Sequence, residues 1–301
     1  MKLGIDSYSF HRYFGEVYPG LQEDPAVTWD MIENFVPFAA AQNVHEVALE
    51  SIFFPVFDDG YCAELRARLD EAGLERVLGW GHPDGLRGGA DGEALADLKR
   101  HIPRAAKLGA RIMRIVASSM EYVDNDHDTQ IRDSVRMLKE AVEVAEAHDI
   151  VLAQENHIDF TGPELLRIIE GVGSDNLRVN LDTGNPIRVY EDPVECARVL
   201  APYAVSTHTK DITTRRKGGS PAQRFPFFPS CPTGSGFVDF EGVIAELRAV
   251  DFRGSLGVEL DLIAEPWVRQ PEEELVVQSL DYLRGLIGEQ AATAGAASRA
   301  L

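Results

Sequence analysis

Short apolar segments and longer amphipathic segments alternate along the chain. The apolar segments are rich in β-branched residues, as buried strands are, and they lie near 3–9, 45–50, 76–81, 111–117, 150–155, 177–182, 204–208 and 255–260. The amphipathic segments have helical length and lie near 28–42, 61–73, 91–108, 128–148, 162–171, 192–201, 239–250 and 271–288. Because strands that alternate with helices pair in parallel, the pattern predicts an α/β fold in which a single domain forms a closed (β/α)₈ barrel, the TIM barrel.

Local signals at the segment ends agree with this alternation. Thr161-Gly-Pro-Glu164 has the spacing of a capping box with proline in the first helical turn. Gly73, Gly109 and Gly171 stand where three helices are expected to end. The alternation therefore predicts one TIM-barrel domain over residues 1–288, which we expect to be the catalytic domain. A low-complexity, alanine-rich tail follows over 289–301.

One long connection interrupts the alternation. Residues 212–238 follow the seventh predicted strand and contain both an aromatic-proline run, Phe225-Pro-Phe-Phe-Pro229, and a Gly234-Ser-Gly236 motif. A connection of this length inside a compact domain is usually functional or disordered. We expect it to close over a binding site at the mouth of the barrel.

Four successive predicted strands end in a potential metal ligand. These residues are Glu155, Asp182, His208 and Glu259. The carboxyl ends of parallel barrel strands meet at one face, where chemistry takes place in such folds, so we expect the four side chains to converge. Without a cation, carboxylates this close would repel one another. Three carboxylates and one imidazole suit Mn²⁺ or Mg²⁺ better than Zn²⁺.

Composition and charge narrow the classes of partner. The chain has 301 residues, of which 45% are hydrophobic, and its 29 basic and 49 acidic residues give a formal charge of −20. A surface this acidic repels nucleic acid and anionic membranes. The three cysteines, Cys62, Cys196 and Cys231, are odd in number and far apart, which predicts neither disulfides nor a thiolate zinc site. No signal-peptide or membrane-span pattern is present, so we expect a cytoplasmic protein.

Several further polar or aromatic residues are expected near the mouth of the barrel. His11 follows the first strand, Trp80 and His82 end the third, and Lys210 lies just past His208. Trp80 is suited to stack on a sugar, and Arg216 to bind a carboxylate or phosphate. For each of these residues the alternative to a substrate contact is that the side chain packs against its neighbours or is solvated at the rim of the barrel.

The strand-end motifs resemble those of the sugar-phosphate isomerase/epimerase superfamily, the xylose-isomerase-like barrels that include ketose 3-epimerases. The resemblance is carried by Gln154-Glu-Asn-His157, Leu181-Asp-Thr-Gly-Asn185, His208-Thr-Lys-Asp211 and Gly257-Val-Glu259. It implies that the Glu, Asp, His and Glu hold one divalent ion, Mn²⁺ or Mg²⁺. It also implies that Glu155 and Glu259 exchange a proton with a small carbohydrate substrate, and so predicts an enzyme that enolises a keto-sugar or sugar acid.

Two departures from the ketose 3-epimerase pattern leave a second chemistry open. Asn185 stands where those enzymes usually carry a histidine, and Gly234-Ser235-Gly236 replaces the usual Gly-Glu-Gly. Similar barrels include lyases that act on 3-oxo sugars, such as C-glycoside deglycosidase catalytic subunits and oxo-sugar-acid decarboxylases. In a lyase, His157 becomes the candidate proton-transfer residue. For either chemistry we expect Asn185 to contact the substrate, and we expect assembly as a homo-oligomer or with a small accessory subunit.

Two other functions compete with a sugar enzyme. Abasic-site endonucleases, which depend on metal ions, share this barrel, but they need a basic groove, and the charge of −20 argues against one. The other alternative is a binding protein without catalytic activity. The presence of all four candidate ligands at the strand ends argues against it.

Overall fold

Eight parallel strands close into a barrel, as the alternation predicts. The computed structural model describes residues 1–22, 27–215, 220, 223–225 and 227–288. We number the barrel strands β1 (Lys2–Asp6), β2 (Glu46–Glu50), β3 (Glu75–Gly79), β4 (Ile112–Ile115), β5 (Val151–Glu155), β6 (Leu177–Asp182), β7 (Ala204–Thr209) and β8 (Ser255–Val258). Neighbours in sequence are neighbours in the sheet, and β1 closes the barrel against β8.

In the described part of the chain, eight α-helices longer than four residues surround the strands. They are α1 (Val36–Ala41), α2 (Asp59–Ala72), α3 (Gly92–Leu108), α4 (His127–Glu146), α5 (Gly162–Val172), α6 (Pro193–Leu200), α7 (Phe240–Ala249) and α8 (Glu272–Ile287). Aspartate side chains accept backbone N–H bonds at five of the helix starts, namely Asp58, Asp91, Asp126, Asp192 and Asp239. Each such cap stabilises its helix by about 1 kcal/mol.

Most of the predicted helix ends are confirmed, and one is wrong. Thr161 and Glu164 form the expected capping box, and Gly73 and Gly109 end their helices in the left-handed conformation. Helix α5, however, continues past Gly171 to a left-handed Gly173. Gly171 faces α4 instead, where an added Cβ would lie 2.8 Å from a methyl group of Val135.

Three local elements differ from the expected alternation. The first strand ends at Asp6, and Ser7–Phe14 continues as a 3₁₀ helix because the Asp6 side chain accepts the Tyr8 N–H. A short helix, Asn185–Arg188, follows β6. Within the long connection, Asp211–Ile212 pairs antiparallel with Ser230–Cys231. The last two elements lie at the barrel mouth and bear directly on the site.

The main apolar core lies between the strands and the helices. Leu65 and Leu69 of α2, with Leu98 and Ile102 of α3, are fully buried within it. Burial of each such side chain contributes roughly 1.5–3 kcal/mol. This apolar layer holds the strands in register, and their carboxyl ends can therefore carry polar side chains in defined positions.

Other predictions about the chain have different outcomes. All three cysteines are buried and free, as expected. Among the helices of the described segments, none is both long and apolar enough to cross a bilayer. The tail predicted over 289–301 lies outside the described residues, so the division at 288 stays a prediction.

Candidate metal centre

Glu155, Asp182, His208 and Glu259 converge at the barrel mouth, and we call them the ligand quartet. Each offers one ligand atom, and these atoms all lie within 4.8 Å of one another. Three of the residues belong to β5, β6 and β7, and Glu259 follows β8 directly. All four side chains are buried. The parallel register explains part of the convergence, because it pairs Asp182 directly with His208.

The atoms at the centre of the quartet fit a divalent ion. His208 Nδ1 lies 2.8 Å from Glu259 Oε2, 3.6 Å from Glu155 Oε1 and 3.8 Å from Asp182 Oδ2. His208 Nδ1, Glu259 Oε2 and Asp182 Oδ2 are buried, and their contacts with one another and with Lys210 are ion-pair contacts that lack good hydrogen-bond geometry. A cation at their centre would give all of them a partner. Their oxygen-rich donor set is one that Mn²⁺ and Mg²⁺ accept.

Asp6, at the end of β1, orients the imidazole of His208. Its Oδ2 lies 3.1 Å from His208 Nε2, and both side chains are buried. A carboxylate at Nε2 holds a proton on that nitrogen, which leaves the lone pair of Nδ1 directed at the quartet. Asp6 therefore positions His208 as a candidate ligand without being a member of the quartet.

Lys210 is the cation nearest to the quartet. Its Nζ lies 3.0 Å from Asp182 Oδ2, 3.0 Å from Glu259 Oε2 and 3.4 Å from Asp261 Oδ2. Burial disfavours the charged form of Glu259, but His208 and Lys210 outweigh it and lower its pKa to about 2. For Asp182, burial dominates over Lys210 and, together with Glu259, raises the pKa to about 6.

Arg114 of β4 supports the quartet from the other side. Its guanidinium donates to Glu50 at the end of β2, and its Nε lies 3.5 Å from Glu155 Oε2. Burial raises the pKa of Glu50 to about 7 against the opposing charge of Arg114. Gly79 of β3 makes room for this carboxylate, because an added Cβ would lie 2.3 Å from Glu50 Oε1.

The cations around the quartet offset only part of its charge. Lys210 and Arg114 contact its carboxylates, and each also contacts a buried carboxylate outside the quartet, Asp261 and Glu50 respectively. The quartet therefore shares these two cations with other acids, and a divalent ion would supply positive charge that its three carboxylates lack.

Asn185 ties two members of the quartet together. Its side-chain Nδ2 donates to Glu155 Oε1 at 3.0 Å, and its backbone N–H donates to Asp182 Oδ1 at 2.7 Å. Asn185 is fully buried at the start of the short helix after β6. The structure thus brings Asn185 to the quartet, and a substrate contact by this residue stays a prediction.

His157 lies close to the quartet but is not part of it. Its Nδ1 is buried and has no hydrogen-bond partner. Burial, helped by the charges of Lys210 and Arg114 and opposed by that of Glu155, lowers the pKa of His157 to about 4. Its proton-transfer role stays a prediction.

The other expected mouth residues lie in packed surroundings. His11 is buried, with Nδ1 2.9 Å from the Tyr8 carbonyl. Trp80 is 1% exposed, donates its indole N–H to Asp97 and stacks on His82. Substrate contacts by His11, Trp80 and His82 stay predictions. Arg216 lies outside the described residues.

Several residues of the site were not among those expected from the sequence. Asp6 and Glu50 carry the same signal as the quartet, a carboxylate that ends an apolar strand. Asp261 follows Glu259 by two residues and could have been found by that spacing. Arg114 inside β4 and Arg188 in an unpredicted helix give no comparable signal, because their partners are distant in sequence.

Comparison with known proteins connects this geometry to a family. Residues 34–286 match the family described as the xylose isomerase-like TIM barrel. A curated relative, the 2-epi-5-epi-valiolone 7-phosphate 2-epimerase of an Actinoplanes species, is 35% identical over 156 residues. That match covers 50% of this chain and 56% of the relative, so the chain spans about half the length of the curated relative.

Solved structures share the complete barrel. A xylose isomerase domain protein from Planctomyces limnophilus is 20% identical, with a TM-score of 0.71 over 95% of this chain and 96% of that one. An L-ribulose 3-epimerase is 17% identical, with a TM-score of 0.72 over 95% of this chain and 94% of that one. At these identities the likeness shows the fold alone. Together with the family match it confirms the resemblance drawn from the strand-end motifs.

Proposed function

The chain belongs to the xylose isomerase-like TIM barrel family, and from that premise we propose that it is a divalent-metal-dependent enzyme that enolises a keto-sugar or sugar acid, as an isomerase or epimerase does. The observation that carries the proposal is the ligand quartet, four buried residues whose ligand atoms lie within 4.8 Å of one another. The proposed ion is Mn²⁺ or Mg²⁺, held by Glu155, Asp182, His208 and Glu259.

The ion would act as a Lewis acid toward a substrate oxygen and stabilise negative charge there. The protein's own part is proton transfer. Glu155 and Glu259 come from β5 and the end of β8, which are not adjacent strands, so they approach the site from two directions. A substrate held between them would present a C–H bond next to its carbonyl to one carboxylate, and the other would return the proton. The hydrogen bond from Asn185 holds Glu155 in place for this step, and the guanidinium of Arg114 nearby offsets part of its charge.

Hydrogen exchange into candidate substrates tests this proposal most directly. Ketoses, their phosphates and sugar acids would be incubated with the enzyme and Mn²⁺ in D₂O and followed by NMR. We expect deuterium to enter at the carbon next to a carbonyl and a strong chelator to stop the exchange. Full activity in the chelator, or no exchange with any sugar at saturating Mn²⁺ or Mg²⁺, would refute the proposal.

A lyase step on a 3-oxo sugar is the second candidate, because the same enolate can expel a substituent. A leaving group needs a proton donor other than the two glutamates of the quartet, and His157, with a buried and unpartnered Nδ1, is the candidate. Because its pKa is lowered to about 4, His157 would act here through the N–H of a neutral imidazole. In a lyase, His157→Ala should lower turnover by about 10²- to 10⁴-fold with metal content unchanged. A loss below about tenfold, with KM alone raised, would favour the isomerase or epimerase.

The proposed partner is a small carbohydrate, and the proposed location is the cytoplasm. The abasic-site endonuclease remains disfavoured by the charge of −20. Assembly into a homo-oligomer, or with a small accessory subunit, stays a prediction that sedimentation of the purified protein would decide.

A further inference from the structure

Arg188, in the short helix after β6, uses all of its guanidinium donors inside the protein. Nη1 and Nη2 donate to the two carboxylate oxygens of Asp261 at 2.6 and 2.9 Å. Nε and Nη2 donate to the Phe228 carbonyl at 3.1 and 3.0 Å, and Nη1 also donates to Asn185 Oδ1 at 3.1 Å. The side chain is 1% exposed. A guanidinium has five N–H donors in a rigid plane, and here all five have acceptors.

Two of these acceptors connect Arg188 to the ligand quartet through intermediate residues. Asn185 receives a hydrogen bond from Arg188 on its oxygen and donates from its nitrogen to Glu155. Asp261 receives the bidentate pair from Arg188, and its Oδ2 also lies 3.4 Å from Lys210, which contacts two carboxylates of the quartet. Arg188 is therefore linked to the quartet by two separate indirect routes.

The remaining acceptor belongs to the long connection between β7 and α7. The Phe228 carbonyl takes two of the five donors. The ring of Phe225 lies over the same guanidinium, 5.0 Å from its Cζ, and packs against Tyr18 at 4.8 Å between ring centroids. The connection thus rests on Arg188 through a backbone carbonyl and an aromatic ring.

We infer that Arg188 is a positioning residue that couples the seating of the connection to the orientation of Glu155 and Lys210. Because the guanidinium is planar and rigid, Phe228 cannot move away without breaking two hydrogen bonds or turning the plane that Asp261 and Asn185 share. The inference rests on the proposed function and deepens it, since it means that the position of the long connection affects how the proposed metal site is arranged.

The first test is linkage between metal binding and protection of the connection. If the contacts of Phe225 and Phe228 with Arg188 are coupled to the orientation of Glu155, Mn²⁺ must strengthen these contacts by the factor by which they strengthen Mn²⁺ binding. We expect Mn²⁺ to slow tryptic cleavage after Arg224, followed by mass spectrometry of the peptides, about tenfold. Arg188→Lys, which keeps the charge beside Asp261 but loses the planar fork, should remove this protection and weaken Mn²⁺ binding by about 10- to 100-fold.

A double-mutant cycle provides the second test. Phe225→Leu removes the ring over Arg188 but touches no member of the quartet, and it should lower turnover on its own. In the Arg188→Lys background it should have little further effect, because the contact it perturbs is already lost. The matched control is Arg104→Lys, which alters a cation–π contact between Arg104 of α3 and Phe57 and involves neither the quartet nor the long connection; it should change neither turnover nor the protection by Mn²⁺.

The outcomes separate this inference from the proposed function. If Asp182→Asn loses Mn²⁺ while Arg188→Lys retains wild-type affinity and tryptic protection, the metal site stands and the coupling is refuted. Additive effects in the cycle would also refute it. If Asp182→Asn binds Mn²⁺ as the wild type does, the proposed function itself is wrong. Should Arg188→Lys fail to fold, Phe225→Leu alone must still reduce the protection by Mn²⁺, and an unchanged value would refute the coupling.

Discussion

The two halves of the barrel mouth end their strands in similar residues and use them differently. On the β5–β8 side, the ligand quartet brings its donor atoms within 4.8 Å of one another. On the β1–β4 side, Asp6 and Glu50 also end apolar strands and are equally buried. Yet Asp6 is directed at His208, and Glu50 pairs with Arg114.

The difference lies in the counter-charges. Glu50 meets a guanidinium that is held for it in the same half, so its charge is offset without an ion. The quartet shares Lys210 and one oblique contact with Arg114 among three carboxylates, which is too little cationic charge for all three. A carboxylate at a strand end is therefore a ligand candidate only where the protein leaves it unbalanced.

Matched neutral substitutions in the two halves should separate them most clearly. Asp182→Asn removes a ligand, and we expect Mn²⁺ binding to be lost and turnover to fall by at least about 10³-fold, roughly 4 kcal/mol of transition-state stabilisation. Glu50→Gln, the equivalent change on the other side, should retain the metal. Calorimetric titration with Mn²⁺ would measure both. If Glu50→Gln lost the metal and Asp182→Asn kept it, the metal site would have to lie in the β1–β4 half instead.

Breaking the ion pair of the β1–β4 half should lower stability, and it should also lower turnover because Arg114 contacts Glu155. Arg114→Met leaves Glu50 buried without its cation, and we expect the free energy of unfolding to fall by about 3–5 kcal/mol. The double variant Glu50→Gln/Arg114→Met should recover most of that loss, because no uncompensated charge remains. Urea unfolding measures both values. A loss below about 1 kcal/mol in the single variant would show that the pair is no more important than a surface one.

Glu46 lies at the start of β2, at the opposite end of the strand from Glu50, and should make the stability of the protein depend on pH. Burial, reinforced by the charge of Glu75, raises the pKa of Glu46 from 4.5 to about 7. The folded protein keeps the proton up to about pH 7, whereas the unfolded chain releases it near pH 4.5, so this group lowers stability as the pH rises between those values. Glu46→Gln should remove that slope and gain about 1–3 kcal/mol at pH 8 relative to pH 4. The measurement is the free energy of unfolding of the wild type and of Glu46→Gln as a function of pH. If the two curves run parallel, the prediction is wrong.

Substitution of Trp80 should have the smallest effect, and it tests whether the end of β3 contributes to substrate binding. Trp80→Phe removes the indole hydrogen bond to Asp97 and should cost about 1 kcal/mol of stability. If the residue only packs, kcat and KM stay unchanged. A severalfold rise in KM would instead place a sugar against Trp80 and extend the substrate site into the β1–β4 half.

The sequence alone was enough for the barrel and for the quartet. Apolar period, helix length and capping residues such as Thr161 and Glu164 are local properties, and a parallel barrel brings every strand end to one face. Once eight strand–helix units are recognised, Asp182 and His208 must become neighbours. Both predictions therefore need only the order of elements.

Tertiary structure alone decided which charges are balanced. Arg114 meets Glu50 across 64 residues of sequence, and Arg188 meets Asp261 across 73. No periodicity connects such positions, because the direction of a long side chain depends on the space its neighbours leave, such as the gap beside Gly79. The same strand-end carboxylate can thus be an ion-pair partner at Glu50 or a metal ligand candidate at Glu155. Only packing determines which, since burial makes an unpaired charge costly and so requires a specific counter-charge at each position.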